Sequence, residues 1–176
     1  MSYSYRPSVA FKIPRKNGQI DRKSLSGFWE LVDADDWLSY GVGCYIFSIR
    51  SGKGGVIPWY VGKTDKLFRG ECFQPHKLLH YNEALASKSA ATPLLTLIPR
   101  YTPTGALAKR RKSGIYAGTE FLEKMLIGAC LDRNPALCNA RDTKRLKEMV
   151  VYGLLNSPKG AGSSKKVQAF RKLLGG

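Results

Sequence analysis

The stretch from Gly43 to Gly62 constrains the fold more than any other part of the chain. Two runs rich in aromatic and β-branched residues, Cys44 to Ile49 and Val56 to Val61, flank Ser51-Gly52-Lys53-Gly54-Gly55. Such runs suit a pleated sheet, and the intervening glycines supply the positive φ angles of a tight reversal. The pattern predicts an antiparallel hairpin with Gly52 at the first central site of a two-residue turn. Centred between Gly52 and Lys53, that hairpin sets Tyr45 directly opposite Tyr60. Facing partners share one side of a sheet, so two phenols are expected side by side on a rigid support. Pro58 has no N–H to give to a ladder, which predicts that the second strand lies at an edge.

Around this hairpin the chain reads as mixed. Asn17-Gly18 is a type I′ turn signal between Phe11–Ile13 and Gln19–Asp21, so residues 1–23 form a basic arm or a small hairpin, and 24–176 form one domain. Ser26 can cap a short helix from Gly27 to Ala34, which Asp33, Asp35 and Asp36 close. A helix over 71–86 buries Phe73, Leu78, Tyr81 and Leu85, and Ser87–Thr92 is a loop. Leu94 to Ile98 is a third strand. A helix over 116–131 turns Phe121, Leu122, Met125, Leu126 and Ala129 inward. Glu123 has Ile127 and Cys130 at i+4 and i+7, so its carboxylate emerges from an apolar strip. Met149 to Leu155 reads as a last strand, 157–163 as a Gly/Ser/Pro loop, and Ser164 caps an amphipathic helix through Leu174.

Charge narrows the partners. With 29 Lys+Arg against 13 Asp+Glu, the 176 residues carry +16. Such a field attracts polyanions. No apolar run approaches a membrane span, and no signal-peptide core opens the chain, so nucleic acid is the expected partner and the cytoplasm the expected location. Cys44, Cys72, Cys130 and Cys138 lack metal-ligand spacing, and with only His76 and His80 present a structural zinc site is not expected. The basic run Lys109-Arg110-Arg111-Lys112 is either a solvated loop or a set of phosphate contacts.

Several motifs occur in a recognisable order. Gly43-Cys44-Tyr45 and Tyr60-Val61-Gly62 are followed by Leu122-Glu123-Lys124-Met125-Leu126-Ile127 and by Pro135-Ala136-Leu137-Cys138-Asn139. The set resembles the GIY-YIG endonuclease family, with Cys44 in place of isoleucine. Gly114-Ile115-Tyr116 has no Tyr-x-Gly strand after it. Gly62-Lys63-Thr64 lacks the earlier glycine of a phosphate-binding loop, since Ile57 stands there. One departure concerns the family's arginine, due about ten residues after Tyr60, where this chain has Gly70. Arg69 is one residue off, and Lys77 is the alternative.

The resemblance implies an α+β fold, a small antiparallel sheet of about three strands flanked by helices, and a metal-dependent DNA endonuclease. It implies Glu123 as ligand of Mg²⁺ or Mn²⁺, Tyr45 as general base, Arg69 as neutraliser of transition-state charge and Asn139 as a buttress. A phenol pKa near 10 must fall for that role, and Lys63 is the nearby cation expected to lower it. Tyr60 would position water or phosphate. His80 is the second candidate base. Lys77 and Lys109–Lys112 are the candidate nucleic-acid contacts, with DNA, or else RNA, as partner and a homodimer possible on DNA. The alternative function is a catalytically impaired nucleic-acid-binding module of the same fold.

Overall fold

In a computed structural model of the chain, the hairpin forms and is one side of a larger sheet. The structure describes residues 3–173 apart from positions 35, 53, 54, 87, 89, 113, 140–147, 153, 155, 156, 159 and 161–163. Strands β1 (Ser4–Tyr5) and β2 (Ala10–Lys12) both pair antiparallel with β5 (Thr92–Tyr101). Strand β5 pairs with β3 (Gly43–Ser51), which pairs with β4 (Gly55–Thr64). The five strands run in the order β1-β5-β3-β4, with β2 also on β5. The expected three strands are therefore joined by two from the N-terminal segment. The Asn17-Gly18 turn is present, at φ 51° and 80°, bridging Lys16 to Gln19, but residues 10–12 pair with β5 instead of folding back on 19–21.

The hairpin register differs from expectation. Tyr45 lies opposite Gly62 and Phe47 opposite Tyr60, while Ser48 faces Pro58, so Trp59 is an extra residue in β4. A bulge of this kind shifts every pair beyond it. The positive φ of the reversal belongs to Gly55, at 76°, not to Gly52, and Lys53 and Gly54 lie outside the described residues. Strand β4 is an edge strand, as Pro58 predicts.

Side-chain alternation sends the sheet's two faces to different partners. Tyr45, Phe47, Ile49, Leu95 and Leu97 join a core with α1 (Phe28–Val32), α2 (Phe68–Glu71) and α3 (Pro75–Leu85), where Phe47 stacks on Tyr81 at 4.0 Å. Gly27, not Ser26, is the N-cap of α1. On α3, Tyr81 and Leu85 are buried as expected, and Phe73 before it is half-buried, as is Leu78. On the opposite face Val61 packs with Ile46, Ile127, Cys130 and Leu131 of α4 (Ala117–Arg133), and the Cys44 thiol donates to the Thr119 carbonyl at 3.4 Å.

Helix α4 corrects one expectation. Phe121 and Met125 are 67 % and 58 % exposed and Ala129 is exposed, while Thr119, Ile127, Gly128, Cys130 and Leu131 are buried. Small side chains at 128 and 130 let the helix approach the sheet, and the bulky ones turn outward. The strip containing Glu123, Ile127 and Cys130 is the inner one.

Helix α5 (Lys165–Leu173) follows Ser164, whose hydroxyl accepts from the Val167 N–H at 3.3 Å. Val151 is an isolated bridge position, so no strand spans the described part of 149–155. Gly153 and Leu155 of that segment lie outside the described residues, as do Asp35, Ser87, Leu174 and part of the 157–163 loop.

Candidate active site

Both faces of the sheet meet at the outer edge of β4, and a cleft of about 460 Å³ opens there. Tyr60, on the α3 side, and Lys63, on the α4 side, reach it from β4. Glu71, His76, Lys77 and His80 reach it from α2 and α3, and Glu123, Ile127 and Asn139 close the other wall. The cleft is polar and its charges are paired across short distances. Lys63 Nζ lies 2.7 Å from Glu123 Oε2 and 3.6 Å from Glu120. Lys77 is almost fully buried; its ammonium pairs with the Glu71 carboxylate and donates to the Glu71 carbonyl at 3.0 Å. The His80 ring stacks on Tyr60, 6.2 Å between centroids at 17°, and its Nδ1 sits 3.4 Å from Glu83.

Asn139 has a specific place. Its Oδ1 accepts from the Val61 N–H at 2.9 Å and its Nδ2 donates to the Val61 carbonyl at 2.6 Å, so one amide pairs with β4 as a neighbouring strand would. Asn134 Nδ2 donates to the Pro58 carbonyl and the Cys138 N–H to that of Trp59. The 134–139 segment thus covers an edge that would otherwise present open backbone groups.

Tyr45 lies behind this surface. It is fully buried, and among the described residues its hydroxyl has no hydrogen-bond partner of good geometry. Its ring is 6.2 Å from that of Tyr60, a diagonal neighbour on the same face. Lys77 Nζ stands 5.2 Å from its centroid. Burial pushes the Tyr45 phenol well above its ordinary range, and the neighbouring Tyr81, Cys72 and Tyr60 add to this. Burial, and then the charge of Glu123, pushes Tyr60 up to about 12. The expected depression of Tyr45 by Lys63 is absent, because Lys63 is on the other face of the sheet and spends its charge on Glu123. Burial alone would lower the Lys63 ammonium; the hydrogen bond and charge of Glu123, with Glu120, outweigh it and hold it above the usual lysine value.

The remaining candidates lie elsewhere. Arg69 is outside the cleft, its Nη1 donating to Tyr40 Oη at 2.6 Å and its guanidinium 5.1 Å from the Tyr40 ring. Lys109–Lys112 form an exposed loop in which Arg111 donates to the Ile115 carbonyl. Glu71 and His76 line the cleft without having been singled out as site residues, although His76 and His80 are spaced i, i+4 and so share a helical face.

Among the described residues no cluster of three or more His, Cys, Asp or Glu could hold a metal ion, and no helix is long and apolar enough to cross a membrane. Mg²⁺ needs less than such a cluster, since one or two carboxylates with water and a substrate phosphate complete its shell. Glu123 brings one carboxylate to the cleft, 14 % exposed, with Oε2 engaged by Lys63.

No family model matches the chain, and no curated protein or solved structure matches it.

Proposed function

We propose that the chain is a metal-dependent endonuclease of the GIY-YIG type, hydrolysing phosphodiester bonds of DNA in the cleft at the β4 edge. The observation that carries this reading is the convergence of Tyr60, Lys63, His80, Glu123 and Asn139 on one cleft from four separate stretches of sequence. The motif order and the charge of +16 support it. In-line hydrolysis needs a proton acceptor for the attacking water, positive charge around the phosphoryl oxygens and a donor for the departing oxygen.

The residues divide these tasks. His80 accepts the proton of the water as its oxygen bonds to phosphorus. An imidazole exchanges protons near neutral pH, whereas the buried phenol of Tyr45 does not. Tyr60, kept protonated by its surroundings, donates to the departing oxygen as the phosphorus–oxygen bond breaks. Lys63 offsets charge on the phosphoryl group, and Asn139 fixes the strand that carries Tyr60 and Lys63. Glu123 is the residue that would hold Mg²⁺ or Mn²⁺, which supplies Lewis-acid polarisation of the phosphoryl oxygens when bound.

The test is conversion of supercoiled plasmid to nicked or linear DNA in Mg²⁺, compared with the same reaction in EDTA. Metal-dependent products support the reading. A nucleic-acid-binding module of the same fold is the second reading, favoured by Arg69 lying outside the cleft and by the closed Lys63–Glu123 pair. Salt-sensitive DNA binding with no product in Mg²⁺ or Mn²⁺ selects it.

A further inference from the structure

A second, smaller groove of about 280 Å³ is lined by Trp29, Glu30, Asp33, Trp37, Tyr40 and Arg69. We propose that this groove binds one unpaired nucleobase of a single-stranded nucleic acid, stacked on Trp37, with the attached phosphate on Arg69. The inference rests on the nucleic-acid reading above but not on the chemistry of the cleft.

Trp37 is 66 % exposed and sits at φ 51°, ψ 35°, in the left-handed region that bulky side chains rarely occupy. Backbone held in such a region persists only when its surroundings enforce it, and it concentrates at functional surfaces. Here the enforcement is visible. Asp33 accepts from the Ser39 N–H at 2.7 Å and from its hydroxyl at 2.5 Å, anchoring the turn Leu38–Tyr40 that follows Trp37. A large ring is thereby presented to solvent on a fixed backbone. Tyr40 is beside it, 5.8 Å away and tilted 50°, and is 42 % exposed.

The chemistry of the groove selects the ligand. Aromatic faces with an arginine are the recurring platform for unpaired bases. The bond to Tyr40 uses one donor of the Arg69 fork, and a guanidinium carries five. Asp33 is engaged with Ser39, and Arg69 already stands over the Tyr40 ring where a cationic ligand would sit. Glu30 supplies an acceptor for base amino groups, as carboxylates do for cytosine.

Position links the groove to the cleft. Arg69 and Glu71 are two residues apart on α2, about 200° around the helix axis, and they line the groove and the cleft respectively. One short helix is the wall between them. A strand crossing α2 would place adjoining nucleotides in both.

The test uses the full-length chain in EDTA at fixed salt, with fluorescein-labelled single-stranded DNA, single-stranded RNA and a blunt DNA duplex of equal length. Trp37→Ala is expected to weaken single-strand binding about tenfold, within the range for one stacked base, and to leave duplex binding and the salt slope unchanged. Trp37→Tyr is expected to restore most of the affinity. Unchanged single-strand affinity in Trp37→Ala, or equal losses for single strand and duplex, overturns the proposal. The DNA and RNA arms show which sugar the groove accepts. Because binding is read without turnover, an active nuclease with unaltered Trp37→Ala binding defeats only the groove, and a stacking signal without cleavage in Mg²⁺ defeats only the nuclease.

Discussion

The phenol of Tyr45 occupies the space that a β-carbon on Gly62 would fill, colliding with both its Cζ and its hydroxyl. The two residues are cross-strand partners, so glycine at 62 is a packing requirement of tyrosine at 45. Gly43 is under a similar constraint, since a β-carbon there would strike the Ile98 carbonyl of β5. Gly62→Ala is expected to cost about 1–3 kcal/mol, the usual range for overpacking. Gly70→Ala is the control: it has open space and a helical position, where alanine is favoured by up to about 1 kcal/mol. Urea denaturation of both variants measures the contrast.

Tyr45 and Tyr60 are expected to behave differently on loss of the hydroxyl. Tyr45→Phe removes a buried hydroxyl that has no good partner, so stability should stay level or rise by up to about 1 kcal/mol. Cleavage should stay within about threefold. Tyr60→Phe removes the donor that faces the cleft and should slow cleavage by about 100-fold, the loss typical of a single transition-state hydrogen bond. Single-turnover rates separate the two.

Asn139→Asp keeps size and shape but loses the donor to the Val61 carbonyl. Two acceptors then face each other at the β4 edge. The expected cost is about 1–3 kcal/mol, read from the urea midpoint, with Asn139→Ala falling in the same range.

Much of the hairpin and of the Glu123 helix was legible because alternation and helical periodicity are local. Pro58 marked the edge, and Ile127 with Cys130 marked the inner face at Glu123. The register was not legible, since Trp59 becomes a bulge only when both strands are placed. A two-residue displacement still leaves Tyr45 and Tyr60 on the same face, so their adjacency survived the error. The burial of Phe121 and Met125 was misjudged because size and apolarity outweighed the small residues Gly128 and Cys130, through which the helix meets the sheet. The pairing of the two N-terminal strands was hidden because their partner, β5, is some 80 or more residues away in sequence. Lys63 was expected to lower the Tyr45 phenol as a nearby cation, whereas the two side chains project from opposite sides of the sheet.

Alkaline pH should destabilise the fold. Burial raises Cys130 from 9.0 to about 11 and Cys44 from 9.0 to about 12, and Tyr60 rises from 10.0 to about 12. Each stays protonated in the folded chain at pH values where the unfolded chain has lost the proton. The contribution of these three groups is therefore level below about pH 9 and falls as pH rises from there toward 12. Each pH unit inside a group's window removes up to about 1.4 kcal/mol. Urea midpoints at pH 8 and pH 10.5 check this, and Cys130→Ala should reduce the difference.

In the proposed mechanism Glu123 serves phosphodiester hydrolysis at the β4 edge. The most direct test is single-turnover cleavage of a labelled DNA in Mg²⁺ by the wild type and by Glu123→Gln, with DNA affinity and thermal melting measured on the same samples. Glu123→Gln is expected to lose at least about 100-fold in rate with affinity and fold retained. Cleavage by Glu123→Gln at the wild-type rate would contradict it.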